Sequence, residues 1–188
     1  MYRSLLILLL IFSLWTESLS QDNGNSLKGV PFKERIVFGG GVGLGFSSLQ
    51  DYVMVAPSVG YMITRKFMAG TGFTYRYTNY KYFNPSVALN DYGISPFLRY
   101  FIYRNIFLHT EYEYLNYESI WQGERSRKDF NSFLAGGGFI QPIGGKVSFY
   151  LLALYNFSYT NPAPGEYSPY PSPLIIRAGI NVGNFLSF

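Results

Sequence analysis

The C-terminal stretch Leu174 to Phe188 alternates between two kinds of residue. Leu174, Ile176, Ala178, Ile180, Val182, Leu186 and Phe188, with Asn184 among them, fall on one parity; Ile175, Arg177, Gly179, Asn181, Gly183, Phe185 and Ser187 fall on the other. A period of two marks a strand whose faces meet different surroundings. The same pattern recurs upstream. Around 35–47, Ile36, Phe38, Val42, Leu44 and Phe46 oppose a row of glycines and Val37. A glycine row of this kind implies a bulky neighbour lying against it or a sharp bend. Around 52–64 the apolar row is Val53, Val55, Pro57, Val59, Tyr61 and Ile63, and around 67–80 it is Phe67, Ala69, Thr71, Phe73, Tyr75 and Tyr77. Further segments lie at 92–103, 106–117, 130–141 and 146–158. The Ala135-Gly136-Gly137-Gly138 centre of the sixth gives no clean parity, and its faces stay unassigned.

Eight segments of this length suit tilted strands that cross a bilayer. The links after the second, fourth and sixth are tight: Arg65-Lys66, Arg104-Asn105 and Gly144-Gly145. Those after the third, fifth and seventh are long: Lys81–Asp91, Glu118–Asp129 and Tyr159–Pro173. Short turns on one side and long loops on the other is the pattern of an outer-membrane barrel, with the short turns periplasmic. The expected fold is all-β, an eight-stranded antiparallel transmembrane up-and-down barrel. Pro57 and Pro96 fall inside strands and predict local bulges, because a barrel offers no edge to hold them.

A soluble β-sandwich or lipocalin-like barrel is the competing fold. It would have to bury Phe, Tyr, Ile and Leu from eight strands in one interior, while an eight-stranded barrel holds little more than its own lining side chains. The glycine-rich rows carrying Arg76, Arg99, Glu111, Glu113 and Arg177 fit inside better.

The N-terminus adds to the picture. Arg3, the apolar run Leu5–Trp15 and Ser18-Leu19-Ser20 read as a cleavable secretory signal peptide over 1–20. Residues 21–34 follow as an exposed periplasmic leader, and 35–188 form the barrel. The chain has no cysteine, which excludes a lipoprotein anchor, a disulfide framework and thiolate chemistry. Its aromatic content of 20%, with 18 Tyr and 17 Phe, suits side chains that sit at a membrane–water boundary. The net charge of +4 is not gathered into a cluster that would favour nucleic acid.

The inward rows hold the chemistry. Buried charge survives only when paired, so Arg99 is expected to pair with Glu111 or Glu113, with His109 alongside and Arg76 and Arg177 completing a lumenal network. That network reads as a plug fixing strand register. His109 beside Glu111 could alternatively mimic a hydrolase pair, as in lipid A deacylases, but no Gly-x-Ser-x-Gly elbow or phosphate loop accompanies it. No catalytic residue, metal or cofactor is expected. Tyr82, Phe83, Trp121, Tyr167 and Tyr170 lie in the long links and are candidate contacts for protein or glycan.

The signal peptide, the eight segments and the terminal Phe188 together resemble small outer-membrane β-barrel proteins of the OmpA/OmpX type. Ala56-Pro57-Ser58-Val59-Gly60-Tyr61, Ile94–Phe101, Glu111–Tyr114 and Gly136–Gly145 followed by Leu154-Tyr155-Asn156 resemble the porin-family outer membrane protein beta-barrel domain. The resemblance implies integral residence in the cell outer membrane, among lipid and lipopolysaccharide. It also implies that the barrel-assembly machinery reads the C-terminal strand, with Phe188 as its signal. Nothing follows Phe188, so the peptidoglycan-binding domain of the larger OmpA pattern is not expected. The expected role is structural or loop-mediated binding and adhesion, without catalysis. A subunit of a larger envelope assembly or secretion complex is the alternative, and a lipid A-modifying enzyme is a third.

Overall fold

Each alternating segment forms a strand in the computed structural model, which describes residues 25–48, 50–81, 84–121, 124–161, 170 and 172–184. The strands are β1 (Ile36–Phe46), β2 (Gln50–Met62), β3 (Phe67–Tyr80), β4 (Val87–Tyr103), β5 (Ile106–Trp121), β6 (Glu124–Gly144), β7 (Val147–Asn156) and β8 (Leu174–Val182). Each pairs antiparallel with the next, and β8 returns to β1, closing an eight-stranded barrel. The expected signal peptide over 1–20 and the expected assembly signal Phe188 lie outside the described residues.

The outward rows are those read from the alternation. Val42, Phe46, Ile94, Leu98, Ile102, Leu108, Leu151 and Ile176 are all exposed. Charge appears on the outward side of the strands only at Asp51, Glu118, Arg125, Arg127 and Asp129, all toward the long-link end. On β6, Phe133 and Phe139 are exposed while Leu134 and Ile140 are fully buried, which settles the faces of the sixth segment. The glycine row of β1 lies under bulky neighbours, as its spacing implied. A Cβ on Gly45 would meet the Tyr52 ring at 2.1 Å, and one on Gly43 would meet Met54 Cε at 3.1 Å.

The prolines behave differently from expectation. Pro57 pairs with Gly40 and Pro96 with Thr71, and neither shifts the register. On the other side of each strand the ladder skips two residues and resumes in step: Val55↔Tyr75 to Ser58↔Gly72, and Ile94↔Tyr114 to Phe97↔Glu111. The missing proline N–H removes bonding on one side only, so no extra residue is needed. Gly40, at φ +154°, holds a backbone that a side chain would strain, and a Cβ there would lie 2.7 Å from the Ala56 carbonyl oxygen. The register shifts fall instead between Phe101 and Tyr103 and between Pro142 and Gly144, next to the two-residue turns.

The loops also differ. Expected loop Glu118–Asp129 is a β-hairpin paired up to Trp121↔Glu124, and β4 begins at Val87 rather than after Asp91. Strands that leave the barrel meet water on both faces, so their alternation fades while their pairing continues. The leader is not wholly exposed either. Leu27 is 3% exposed and packs with Val37, Met62, Met68, Phe101, Phe107 and Ile140, which fill the short-turn end of the lumen. Arg35 Nε donates to the Val30 carbonyl at 3.1 Å and the Arg65 amide donates to Asn25 O at 2.9 Å, tying this segment across the barrel end.

Candidate functional site

A chain of polar contacts crosses the lumen above the apolar floor. Inward parity on β5 stacks His109, Glu111 and Glu113 along one wall. Cross-strand register sets Arg99 of β4 directly opposite His109. Arg177 reaches over from β8: its Nη1 donates to Glu111 Oε1 at 2.6 Å and its Nη2 to Glu113 Oε2 at 3.0 Å. His109 Nε2 lies 3.0 Å from Glu111 Oε2, and Arg99 Nε lies 3.4 Å from His109 Nδ1. A carboxylate only accepts and a guanidinium only donates. The imidazole is therefore the Nε2–H tautomer, with its Nδ1 lone pair turned to Arg99. Both ring nitrogens are engaged, and none is left to take a proton from a substrate hydroxyl.

The six network residues all line the interior, but they pair differently from expectation. Arg99 meets neither glutamate. It is held by His109 and by aromatic faces, its Cζ lying 4.4 Å from the Phe107 ring centre, 5.4 Å from Phe97 and 5.6 Å from Tyr150. Arg76 does not join the glutamates. Its Nε and Nη2 grip Asp91 Oδ2 at 2.9 and 2.8 Å, across one rung of the β3–β4 ladder. Parity assigns a side chain to a face, whereas the register and stagger of the strands decide which inward residues meet. Tyr170 is a second correction: rather than presenting itself outward, its hydroxyl donates to Glu113 Oε1. Tyr82, Phe83 and Tyr167 lie outside the described residues, as does the side chain of Trp121.

Sequence reading missed Asp91, Tyr150 and a second polar network beyond the barrel. The signal for Asp91 was its inward parity with Gly93, hidden by assigning it to a loop. The β4–β5 ladder stops at Tyr92↔Asn116, and side chains bridge the gap above it. Glu118 N–H donates to Asp91 Oδ1 at 3.0 Å, and Asn90 N–H to Glu118 Oε2 at 3.0 Å. Arg125 Nη1 binds Glu118 Oε1 and the Ala88 carbonyl at 3.1 and 3.2 Å; Arg127 Nη2 binds the Asn90 carbonyl at 3.0 Å. Partial burial alone would push the Glu118 carboxyl up, but the Asn90 amide and the two arginines outweigh it and hold the group below its ordinary range. The Tyr114 hydroxyl and the Asn116 amide hold Asp129 low in the same way.

Between these networks lies a cavity of about 260 Å³. Arg99, Tyr150, Ser95 and Thr74 contribute polar edges to its wall, and Phe97, Leu115 and Leu152 contribute carbon. Among the described residues, no three His, Asp or Glu side chains gather as a metal site.

No family model and no curated protein matches the chain. Among solved structures, it is similar to the N-terminal β-barrel domain of Pseudomonas aeruginosa OprF. The match covers 79% of this chain and 97% of that one, at 11% sequence identity and a TM-score of 0.48.

Proposed function

We propose that the chain is an integral outer-membrane barrel that holds a sheet above the membrane for binding a partner, without catalysis. The apolar outward belt carries this reading. On β4 the outward row Tyr92, Ile94, Pro96, Leu98, Tyr100 and Ile102 holds no charge. At about 3.3 Å per residue and a tilt near 40°, this row spans roughly 25 Å, the height of the apolar band of such barrels. Tyr75 and Tyr114 mark its upper edge, their hydroxyls bonded at 2.7 Å to Asn90 and Asp129 respectively. The hairpins of β3–β4 and β5–β6 rise past this edge, and their backbone gap is closed by Asp91, Glu118, Arg125 and Arg127. Lumenal side chains fix the barrel below.

Fluorescence in lipids with brominated chains tests the placement, with the native tryptophans replaced by phenylalanine. Leu98→Trp is expected to be quenched and Ser126→Trp, on the raised hairpin, to be spared. Equal quenching of the two would reject the membrane reading.

One observation favours a second reading, membership of a larger envelope assembly. β1 and β8 pair only at Phe38↔Val182, Gly39↔Asn181 and Gly40↔Ile180. Past Gly40, β1 carries Val42, Leu44 and Phe46 outward with no β8 partner, and an unpaired strand edge in an apolar layer is costly. A partner strand would satisfy it. Crosslinking from position 44 in whole envelopes would capture a neighbour under this reading and nothing under the first.

A further inference from the structure

We infer that the lumenal cavity is a binding site for a small organic carboxylate, gripped by the terminal nitrogens of Arg99. The argument begins from the lumenal charges. Glu111 and Glu113 present four carboxylate oxygens, and each already faces a donor: His109, Arg177 twice, and Tyr170. Arg76 is matched by Asp91. Arg99 is left over. It is 6% exposed, yet among the described residues its one hydrogen bond is from Nε to His109, and no carboxylate reaches it. Its remaining contacts are aromatic faces, which attract a cation but accept none of its N–H groups in the guanidinium plane. The terminal nitrogens of Arg99 are not fully enclosed, so their N–H groups can be met only by an acceptor in the space beside them.

That space is the cavity, and its shape and lining select the class of acceptor. Two parallel N–H groups of a guanidinium match the two oxygens of a carboxylate. At about 30 Å³ per water, 260 Å³ would hold roughly nine waters, more than a halide needs. Phe97, Leu115, Leu152 and Met54 supply carbon for an apolar body, and Tyr150 and Ser95 add hydroxyl-bearing side chains to the wall. Small binding pockets combine an apolar wall with few placed polar groups in this way. Arg76 and Arg177 point inward yet keep 25% and 31% of their side chains accessible, so the space they line admits solvent. Glu111 and Glu113 also line the cavity, with each of their oxygens already facing a donor.

His109 is the sole histidine, which gives the test a single reporter. Tag-free protein labelled with ¹⁵N-histidine and folded in detergent is titrated with sodium benzoate at constant ionic strength. The Nδ1 resonance, which faces Arg99, is expected to shift and saturate. Benzamide, equal in shape and uncharged, and chloride are expected to leave it in place. Arg99→Met should weaken benzoate at least about tenfold, the loss of one charge-assisted contact. Thr74→Trp adds bulk at a cavity-lining position away from the Arg99–His109 rung, and it should weaken the shift in a barrel that still migrates as folded on an unheated gel. No saturation with benzoate, or an equal response to benzamide or chloride, would overturn the assignment. So would benzoate binding unchanged in Thr74→Trp. The readout in detergent does not depend on where the barrel resides, so it can fail while the membrane reading stands.

Discussion

Arg177→Met removes the one side chain that, among the described residues, bridges both lumenal glutamates. Glu111 and Glu113 are about 5% and 4% exposed, so neither can recover the lost bonds from bulk water. Removing one partner of a buried ion pair costs about 3–5 kcal/mol, because the other charge stays buried. The Arg177 side chain is itself 31% exposed, which moves the expectation toward the lower end, about 3 kcal/mol. The charge count predicts its own cure. With Arg177 gone, Arg99 faces two carboxylates; with Glu113→Gln added, one positive and one negative charge remain. The double variant should therefore be more stable than the sum of the single losses allows, by about 1.5–3 kcal/mol. Urea unfolding of the barrel in lipid vesicles, followed by gel mobility without heating, gives all four corners of the cycle. A single-variant loss under about 1 kcal/mol, or strict additivity, would refute the view that Arg177 bridges and stabilises both glutamates.

Other predictions test other layers of the structure. Gly136→Ala and Gly138→Ala should each cost about 1–3 kcal/mol, since the new Cβ would come within 2.0 Å of Ala153 O and 2.3 Å of Leu151 O, and backbone cannot yield cheaply. Gly137→Ala, whose nearest neighbour is Phe107 O at 3.2 Å, should be nearly neutral in the same urea assay. Leu98→Arg should lower stability in vesicles by about 2–4 kcal/mol if that position lies near the midplane, with a small effect in detergent where the charge can reach water. The Glu118 carboxyl is held low in the folded state, so its contribution is complete above its unfolded value near 4.5 and is lost as pH falls through the folded one. The protection of the Asn90 amide, taken relative to its intrinsic exchange rate at each pH, should therefore fall below about pH 4.5, while amides of the barrel floor stay protected.

The outward wall was legible because one rule governs it along every strand: a residue facing the surrounding layer is apolar, and its neighbour is not. The third segment was read to its observed ends, Phe67 and Tyr80, because Arg65-Lys66 and Lys81 bracket it with charge. The rule weakens wherever the two faces become alike. At Ala135–Gly138 both rows are small, because Gly136 and Gly138 face close backbone inside while Ala135 and Gly137 face outward. At Glu118–Asp129 both rows are polar, and a paired hairpin passed for a loop.

The interior was harder to read for a different reason. Inward parity names the residues of the network without giving their partners, since those depend on register and on the reach across the lumen. Arg76 and Asp91 are rung partners, and once the β3–β4 register is known their pairing follows. Arg99 and His109 are rung partners too. Arg177, by contrast, lies beside Leu152 on its own ladder and finds its glutamates only across the barrel. A narrow lumen lets one long arginine from β8 satisfy two carboxylates of β5, and that economy is what leaves Arg99 without one. The open hydrogen-bonding positions of Arg99 are thus a consequence of the barrel's diameter and of two glutamates placed two residues apart. They make the chemistry of the cavity, more than the pattern of the strands, the feature that distinguishes this barrel from a wall with a packed interior.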